Sequence, residues 1–201
     1  MRYLFFYAIT LLIFFSCVGS STQKEPLIKY PNRDGDGPQL IRDFSFVNQD
    51  SQEVTNATFK DKIYVSNYFF TSCPTICPKI TKQMLRIHDK FKDDDRFKMI
   101  SHSIDTKYDT VATLKKYANR LGVSSDKWNF ITGNEKEIYD IAFDYFCTAL
   151  KDPGAPGGYD HDDLIVLVDK NRNLRAFCHG LDPDKVDEFI DKIEFLLESE
   201  Y

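Results

Sequence analysis

Hydrophobic and polar positions along the chain predict alternating strands and helices. Residues 62–70 are apolar on both faces, as expected of a central strand in a parallel sheet. Immediately after this strand, apolar residues recur every three or four positions and predict an amphipathic helix over about 75–91: Ile76, Ile80, Met84, Ile87 and Phe91.

The rest of the chain continues the alternation and predicts one α/β sheet with helices on both faces. Two short alternating segments, 43–47 and 52–54, flank a turn near the N-terminus. The later segments are strands at 97–104 and 128–131, helices at 110–121 and 135–146, a Gly/Pro-rich loop at 152–158, a hairpin of 164–169 with 174–178, and a helix at 186–197.

The first residues have a different character. Residues 1–17 are almost wholly apolar after Arg2 and are too short for a membrane span of about 20 residues. We interpret them as a secretory signal peptide of the lipoprotein type, because Ser16-Cys17 resembles a lipobox with Cys17 as the acylated residue. Residues 18–40 predict a flexible tether, and residues 41–201 the folded domain. The domain is therefore expected on the periplasmic or other extracytoplasmic side, anchored to the membrane.

Composition supports a packed domain and excludes one class of partner. The 201 residues are 42% hydrophobic and 14% aromatic, which is sufficient for a core. A net charge of −5 provides no basic surface for nucleic acid.

Two cysteines lie where the apolar strand gives way to the helix. Cys73 and Cys77 are four apart, so a helical turn places both sulfurs on the same side. Such a pair suits either a soft metal ion or a reversible disulfide, and the residues alone leave both open. A helix N-terminus near Cys73 favours thiolate over thiol. Cys147 and Cys178 either pair with each other or are buried thiols.

Four motifs occur in chain order: CPTICP at 73–78, SIDTKYDT at 103–110, WNFITG at 128–133, and Asp160-His161 ahead of the strand at 164–169. Together they resemble the Sco (SenC) family, a thioredoxin-fold group linked to copper delivery to cytochrome c oxidase. The resemblance covers about residues 40–200 and implies a thioredoxin-like α/β fold, with a central mixed sheet flanked by helices and an N-terminal hairpin extension.

The resemblance implies a ligand set of Cys73, Cys77 and His161, with His161 on a mobile loop beside Gly157 and Gly158. Two thiolates and an imidazole suit Cu(I), and also Cu(II) in a tetragonal environment. Zinc takes the same ligands, but a structural zinc site uses a fourth protein ligand. The resemblance favours copper, one ion per domain.

Four carboxylates are candidates for supporting these ligands. We predict that Asp160 and Asp162 orient the His161 ring or raise its basicity. Asp105 and Asp109 are predicted to act more remotely, or to form a surface for a partner. The family commonly has serine after the histidine, so Asp162 alters the charge and hydrogen bonding expected around His161.

The predicted function is a copper metallochaperone that delivers copper to, or prepares, the copper site of a cytochrome c oxidase. Its partners would be the copper-site subunit and a thiol reductant or another copper carrier. The alternative is a thiol–disulfide oxidoreductase in which Cys73 attacks and Cys77 resolves the mixed disulfide. A third reading is a copper or redox sensor.

Overall fold

A seven-stranded mixed sheet forms the centre of the structure, a computed structural model that describes residues 27–201. Nine strands occur in the described chain: β1 Ser45–Asn48, β2 Glu53–Thr55, β3 Ile63–Phe69, β4 Phe97–Ser103, β5 Trp128–Thr132, β6 Ala149–Lys151, β7 Tyr159–His161, β8 Leu164–Val168 and β9 Leu174–His179. The helices are α1 Cys77–Phe91, α2 Val111–Leu121, α3 Glu135–Ala142 and α4 Pro183–Glu200.

The strand order in the main sheet is β2-β1-β5-β4-β3-β8-β9. Strands β3, β4 and β5 run parallel, while β8 joins β3 and β1 joins β5 in antiparallel pairing. The β1–β2 hairpin forms one edge of the sheet. This architecture confirms the predicted mixed α/β sheet with an N-terminal hairpin.

Strand β3 lies near the middle of the sheet, and all of its residues are buried. On one face Phe69 packs on Tyr117 of α2, and on the other face Tyr64 and Tyr68 pack on aromatic rings. Packing on both faces explains why the sequence of β3 does not alternate. Because β3 ends at Phe69, it delivers Cys73 to the carboxyl edge of the parallel strands. Open α/β sheets commonly bind ligands at this edge.

All four helices differ from their predicted bounds; α4, predicted over 186–197, runs from Pro183 to Glu200, for example. Helix α1 begins at Cys77, so Pro78 lies in the first turn, where its missing N–H costs nothing. Helix α3 ends at Ala142, and a short 3₁₀ turn leads to Phe146, whose φ of 58° is left-handed.

A second sheet, of two strands, lies between α3 and β8, where the sequence analysis predicted a loop and no strand. Strand β6 pairs with β7, with Ala149 opposite His161. His161 is therefore the last residue of a strand, rather than part of the mobile loop that was expected to carry it. Strands of three residues are too short to show a periodic signal.

The described part of the predicted tether contacts the domain. Tyr30 N donates to Leu174 O (3.1 Å), Leu174 N donates to Gln39 O (3.1 Å), and Ile41 N donates to Arg172 O (3.0 Å). Residues 27–40 thus follow the start of β9, and the folded unit begins earlier than residue 41. The predicted signal peptide, Cys17 and residues 18–26 lie outside the described residues. Within residues 27–201, no helix is long and apolar enough to cross a membrane.

Arg175 on β9 binds this N-terminal segment to the sheet through hydrogen bonds. Its buried guanidinium donates to Leu27 O (2.7 Å), to Ile28 O (3.2 Å) and to Asp169 Oδ2 (2.9 Å). It also pairs with Glu200 at the end of α4. One side chain therefore joins the N-terminal segment, the β8–β9 turn and the last helix.

We predict that Arg175→Met lowers the free energy of unfolding by about 3 kcal/mol, because it leaves the fully buried Asp169 without its cationic partner. Chemical denaturation measures the change. The matched control is Lys136→Met, which removes an exposed pair with Asp140 and should cost about 0.5 kcal/mol or less. Equal effects of the two substitutions would contradict this role of Arg175.

Candidate metal centre

Cys73, Cys77 and His161 come together at the carboxyl edge of the sheet. The two sulfurs and one imidazole nitrogen all lie within 4.8 Å of one another. Across residues 27–201, no other three His, Cys, Asp or Glu side chains are grouped in this way. The structure thus brings His161, which is distant in sequence, to the two cysteines and assembles the three predicted ligands into one site.

Cys73 lies in the turn between β3 and α1, and only 8% of the residue is exposed. Burial by itself would raise the pKa of its thiol, but hydrogen bonds from the backbone N–H groups of Thr75 and Cys77 outweigh it, so that the pKa is lowered. Helix α1 has no side-chain N-cap, which leaves its first N–H groups free for the sulfur. Cys73 is therefore the thiol that ionises more readily.

Cys77 is the first residue of α1 and faces the core, with 3% of the residue exposed. Burial raises the pKa of its thiol well above the ordinary value, and the neighbouring Cys73 raises it further. The pair consequently holds one readily formed thiolate and one thiol that keeps its proton.

His161 approaches Cys77 from the β6–β7 hairpin, with Nε2 at 3.3 Å from Sγ. Its Nδ1 lies 2.8 Å from the carbonyl oxygen of Asp162, and a carbonyl only accepts, so Nδ1 carries the proton. Burial lowers the pKa of the imidazole and keeps the ring neutral. The Nε2 lone pair therefore points at the sulfurs, ready to accept the Cys77 proton or to bind a metal ion.

Phe70 is the packing contact between the cysteine turn and the histidine hairpin. Its ring is 5.2 Å from the ring of Tyr159 and 5.9 Å from that of His161. Gly157, at φ 82°, allows this close approach, because a Cβ there would lie 2.7 Å from the Phe70 ring.

Two buried carboxylates, Asp109 and Asp105, accept hydrogen bonds from the segments that carry the ligands. Asp109 accepts from Thr71 N (2.9 Å), from the Thr71 hydroxyl and from Ser103 Oγ (2.6 Å). Asp105 accepts from the hydroxyl of Tyr159 (2.7 Å). Asp109 therefore holds the cysteine turn and Asp105 holds the histidine hairpin, each through a residue two positions before a ligand.

Asp162 and Asp160 act differently from the prediction. The carbonyl of Asp162, rather than its carboxylate, orients the His161 ring. The Asp162 carboxylate accepts from Thr148 N (2.7 Å) and so closes the base of the hairpin. Asp160 is exposed on the opposite face of β7 and makes no side-chain hydrogen bond within the described chain.

The remaining described cysteines stay outside the site. Cys147 and Cys178 are both buried and unpaired, and burial raises the pKa of each thiol. Cys73 and Cys77 are likewise not bonded to each other. Of the two alternatives left open for Cys147 and Cys178, the structure shows separate buried thiols.

Two clefts reach the sulfurs from different sides. One, of about 170 Å³, lies under the hairpin and is lined by Cys73, Thr75, Tyr159 and His161, among others. The other, of about 300 Å³, runs between α1 and α2 and includes both cysteines in its lining. A bound ion would be reachable by a partner without opening of the fold.

Sequence reasoning placed Gly157 beside His161 but did not identify its contact with Phe70, nor the roles of Phe70, Thr71 and Tyr159. Tyr159 and His161 share a face of β7 because they are two apart on that strand, but a strand of three residues shows no periodic signal by which to find this pair. The pairing of Thr71 with Asp109 has no such signal either, because it depends on how β3 and β4 align.

Comparison with known proteins shows relatives along almost the whole described chain. The sequence profile of the SCO1/SenC family matches residues 32–198. The SCO1 protein homolog of Bacillus subtilis is 29% identical over 156 residues, which cover 77% of this chain and 81% of that protein.

Solved structures show the same fold. BsSco, described as a member of the Sco family of cytochrome c oxidase assembly proteins with a disulfide switch, superposes with a TM-score of 0.68 at 28% identity, over 78% of this chain and 92% of that one. Arabidopsis thaliana ScoI with copper bound superposes with a TM-score of 0.66 at 24% identity, over 80% of this chain and 99% of that one. These likenesses confirm the thioredoxin-like fold.

We predict that Gly157→Ala weakens the binding of Cu(I), used as a soft-metal probe, by about tenfold, because the new methyl group pushes the hairpin away from Phe70. Titration against a competing chelator measures the affinity. Gly158→Ala is the matched control, since Gly158 has nearly the same φ, 86°, but open space around its Cβ position. Both variants lose about 1 kcal/mol of stability to left-handed strain. A similar loss of affinity in both would show that the Phe70 contact does not position His161.

Proposed function

The chain belongs to the SCO1/SenC family, and from this premise we propose that it is a copper carrier that serves the assembly of a cytochrome c oxidase. It binds one copper ion through Cys73 Sγ, Cys77 Sγ and His161 Nε2, and passes the ion to the copper-site subunit of the oxidase. The observation that carries the proposal is the closeness of these three atoms, all within 4.8 Å, with the Nε2 lone pair facing the sulfurs.

The donor set fits copper. Two sulfur ligands and one imidazole form a soft set suited to Cu(I), and three ligands leave the ion open to an incoming group. The copper-bound state of Arabidopsis thaliana ScoI and the description of BsSco as an assembly protein support the choice of metal and of process.

Loading of the site is coupled to proton release. Cys73 ionises readily, whereas Cys77 must give up its proton before its sulfur binds the ion. Binding therefore strengthens as the pH rises. During delivery, ligands of the acceptor replace Cys73, Cys77 and His161 one after another, and the copper keeps its oxidation state.

A second candidate function, reduction of a disulfide in the partner, is favoured by the opposite pKa directions of the two thiols. The Cys73 thiolate attacks one sulfur of the partner disulfide, and the partner's other sulfur leaves as a thiolate. Cys77 then passes its proton by way of His161 Nε2 to the departing partner sulfur and attacks Cys73. This step releases the partner as one thiol and one thiolate and leaves a Cys73–Cys77 disulfide.

His161 separates the two functions. We predict that His161→Ala weakens copper binding by about 100-fold or more. Removal of a residue that hydrogen-bonds a metal ligand typically lowers metal affinity by about 10- to 100-fold, and removal of the ligand itself should lower it further. Cys73, which makes no hydrogen bond to His161, still exchanges with an external disulfide. Copper titration and the rate of exchange at Cys73 are the two measurements.

The matched control is His179→Ala, which removes an exposed histidine paired with Asp163 and should leave copper affinity unchanged. Unchanged affinity in His161→Ala as well would remove His161 from the ligand set. Absence of specific copper binding in the unaltered protein, with a dithiol that still exchanges, would favour the reductase.

We also propose that the protein is exported and held to the membrane by a lipid on Cys17. The apolar segment 3–15 followed by Ser16-Cys17 supports this placement. An extracytoplasmic domain anchored in this way would meet the copper-site subunit at the membrane surface.

Cys17→Ala is expected to move the protein from the membrane fraction to the soluble fraction of cells and to abolish labelling with a radioactive fatty acid. Each CH₂ group of a membrane-buried acyl chain contributes about 0.8 kcal/mol, so loss of the lipid on Cys17 removes the hydrophobic interaction that holds the protein to the membrane. Cys178→Ala, which removes a buried thiol, is the control and should retain both label and membrane location. Membrane retention of Cys17→Ala without label would instead indicate an uncleaved anchor.

A further inference from the structure

The cleft between α1 and α2 adjoins the metal centre but has no part in holding an ion. It extends from the two cysteines along the facing sides of both helices. Its lining is mostly apolar and consists in part of Phe70, Pro78, Leu85, Tyr117 and Leu121. The cleft is about 300 Å³, larger than the cleft under the histidine hairpin.

The cleft walls are held in place. The hydroxyls of Thr81 on α1 and Tyr117 on α2 lie 2.9 Å apart and join the two helices across the cleft. Tyr117 also packs on Phe69 and Phe130, with ring centroids 5.4 Å and 5.3 Å away. A partner would therefore meet a preformed surface, which lowers the entropic cost of binding.

The charges at the cleft are opposite to those of the whole chain. The sequence has a net charge of −5, yet both charged side chains that line the cleft, Lys82 and Arg120, are basic. Both are exposed, and neither pairs with an acidic group in the described residues. The Arg120 guanidinium lies over the Tyr117 ring at 5.5 Å, which holds it at the rim.

The other cleft lacks this character. Its lining contains the acidic Asp160 and no lysine or arginine. The two approaches to Cys73 thus differ in sign, basic on the side of the sulfurs and acidic on the side of the histidine. An acidic partner is attracted to the first and repelled from the second.

We propose that the α1–α2 cleft docks an acidic segment of the protein that accepts the copper, a segment in which apolar side chains alternate with aspartate or glutamate. Its apolar side chains lie on Tyr117 and Leu85, and its carboxylates pair with Lys82 and Arg120. This arrangement brings the acceptor ligands to the two sulfurs and leaves His161 on the far side of the ion. The inference rests on the proposed carrier function and adds the direction from which the acceptor approaches.

The test compares two double charge reversals that change the net charge equally. Lys82→Glu with Arg120→Glu reverses the cleft, whereas Lys29→Glu with Lys60→Glu reverses two exposed lysines without ionic partners in the described chain, outside the cleft. The purified full chain is loaded with Cu(I) in detergent. The probe is the soluble copper-site domain of a cytochrome c oxidase, and the measurement is the rate of copper transfer at low and physiological ionic strength.

We expect the cleft variant to transfer copper about tenfold more slowly at low ionic strength and to lose most of the salt dependence. The control variant should remain within about twofold of the unaltered protein. Equal slowing of both variants, or no slowing of the cleft variant, would overturn the docking site.

Two further measurements separate this inference from the carrier function. Transfer to a small Cu(I) chelator and copper titration should be the same for all variants, because the ligands are untouched. Absence of copper binding by the unaltered protein would refute the carrier function. Docking is then measured as the affinity of the copper-free, reduced chain for the oxidase domain, and failure of the cleft reversal to weaken that affinity would refute the docking site alone.

Discussion

The burial of two carboxylates, Asp105 and Asp109, just beyond the end of β4 is the constraint on which the metal centre depends. A buried carboxylate is costly unless it is hydrogen-bonded, so each must keep its partners in place. Those partners are Thr71 and Tyr159, on two segments that would otherwise be free to separate. The segment 105–109 thereby fixes the distance between the cysteine turn and the histidine hairpin, although it contributes no ligand.

The two cysteines show how position gives one residue type two chemistries. Cys73 lies outside the helix, where free N–H groups favour its thiolate, while Cys77 lies one turn away against the core, where burial favours its thiol. The imidazole beside Cys77 is neutral for the same reason, burial. Without an ion, Cys73 is therefore the one ligand that favours a negative charge. A single charge limits the desolvation free energy that burial of the three side chains costs.

Much of the architecture could be predicted from the sequence, because the continuous apolar run of β3 and the periodic apolar positions of α1 are long enough to carry their own signal. The cysteine pair could be recognised from its spacing at the end of that apolar run, and His161 from the Asp-His motif. The β6–β7 hairpin was not, because three-residue strands form only through pairing with each other. The course of residues 27–40 was missed as well: their polar, Pro/Gly-rich composition resembles a tether, and the contact that orders them comes from Arg175, distant in sequence. The partners of Asp105 and Asp109 depend on strand alignment, which periodicity does not encode.

The hydrogen bond from His161 Nδ1 to the carbonyl of Asp162 has a consequence for how the site tolerates change. A main-chain acceptor is present whatever residue occupies position 162, so the ligating tautomer does not depend on that side chain's identity or titration. A neutral carbonyl also makes the imidazole less basic than a carboxylate partner would. The nitrogen is thereby oriented toward the sulfurs but remains a modest donor, and its bond to a bound ion would be the one most easily given up.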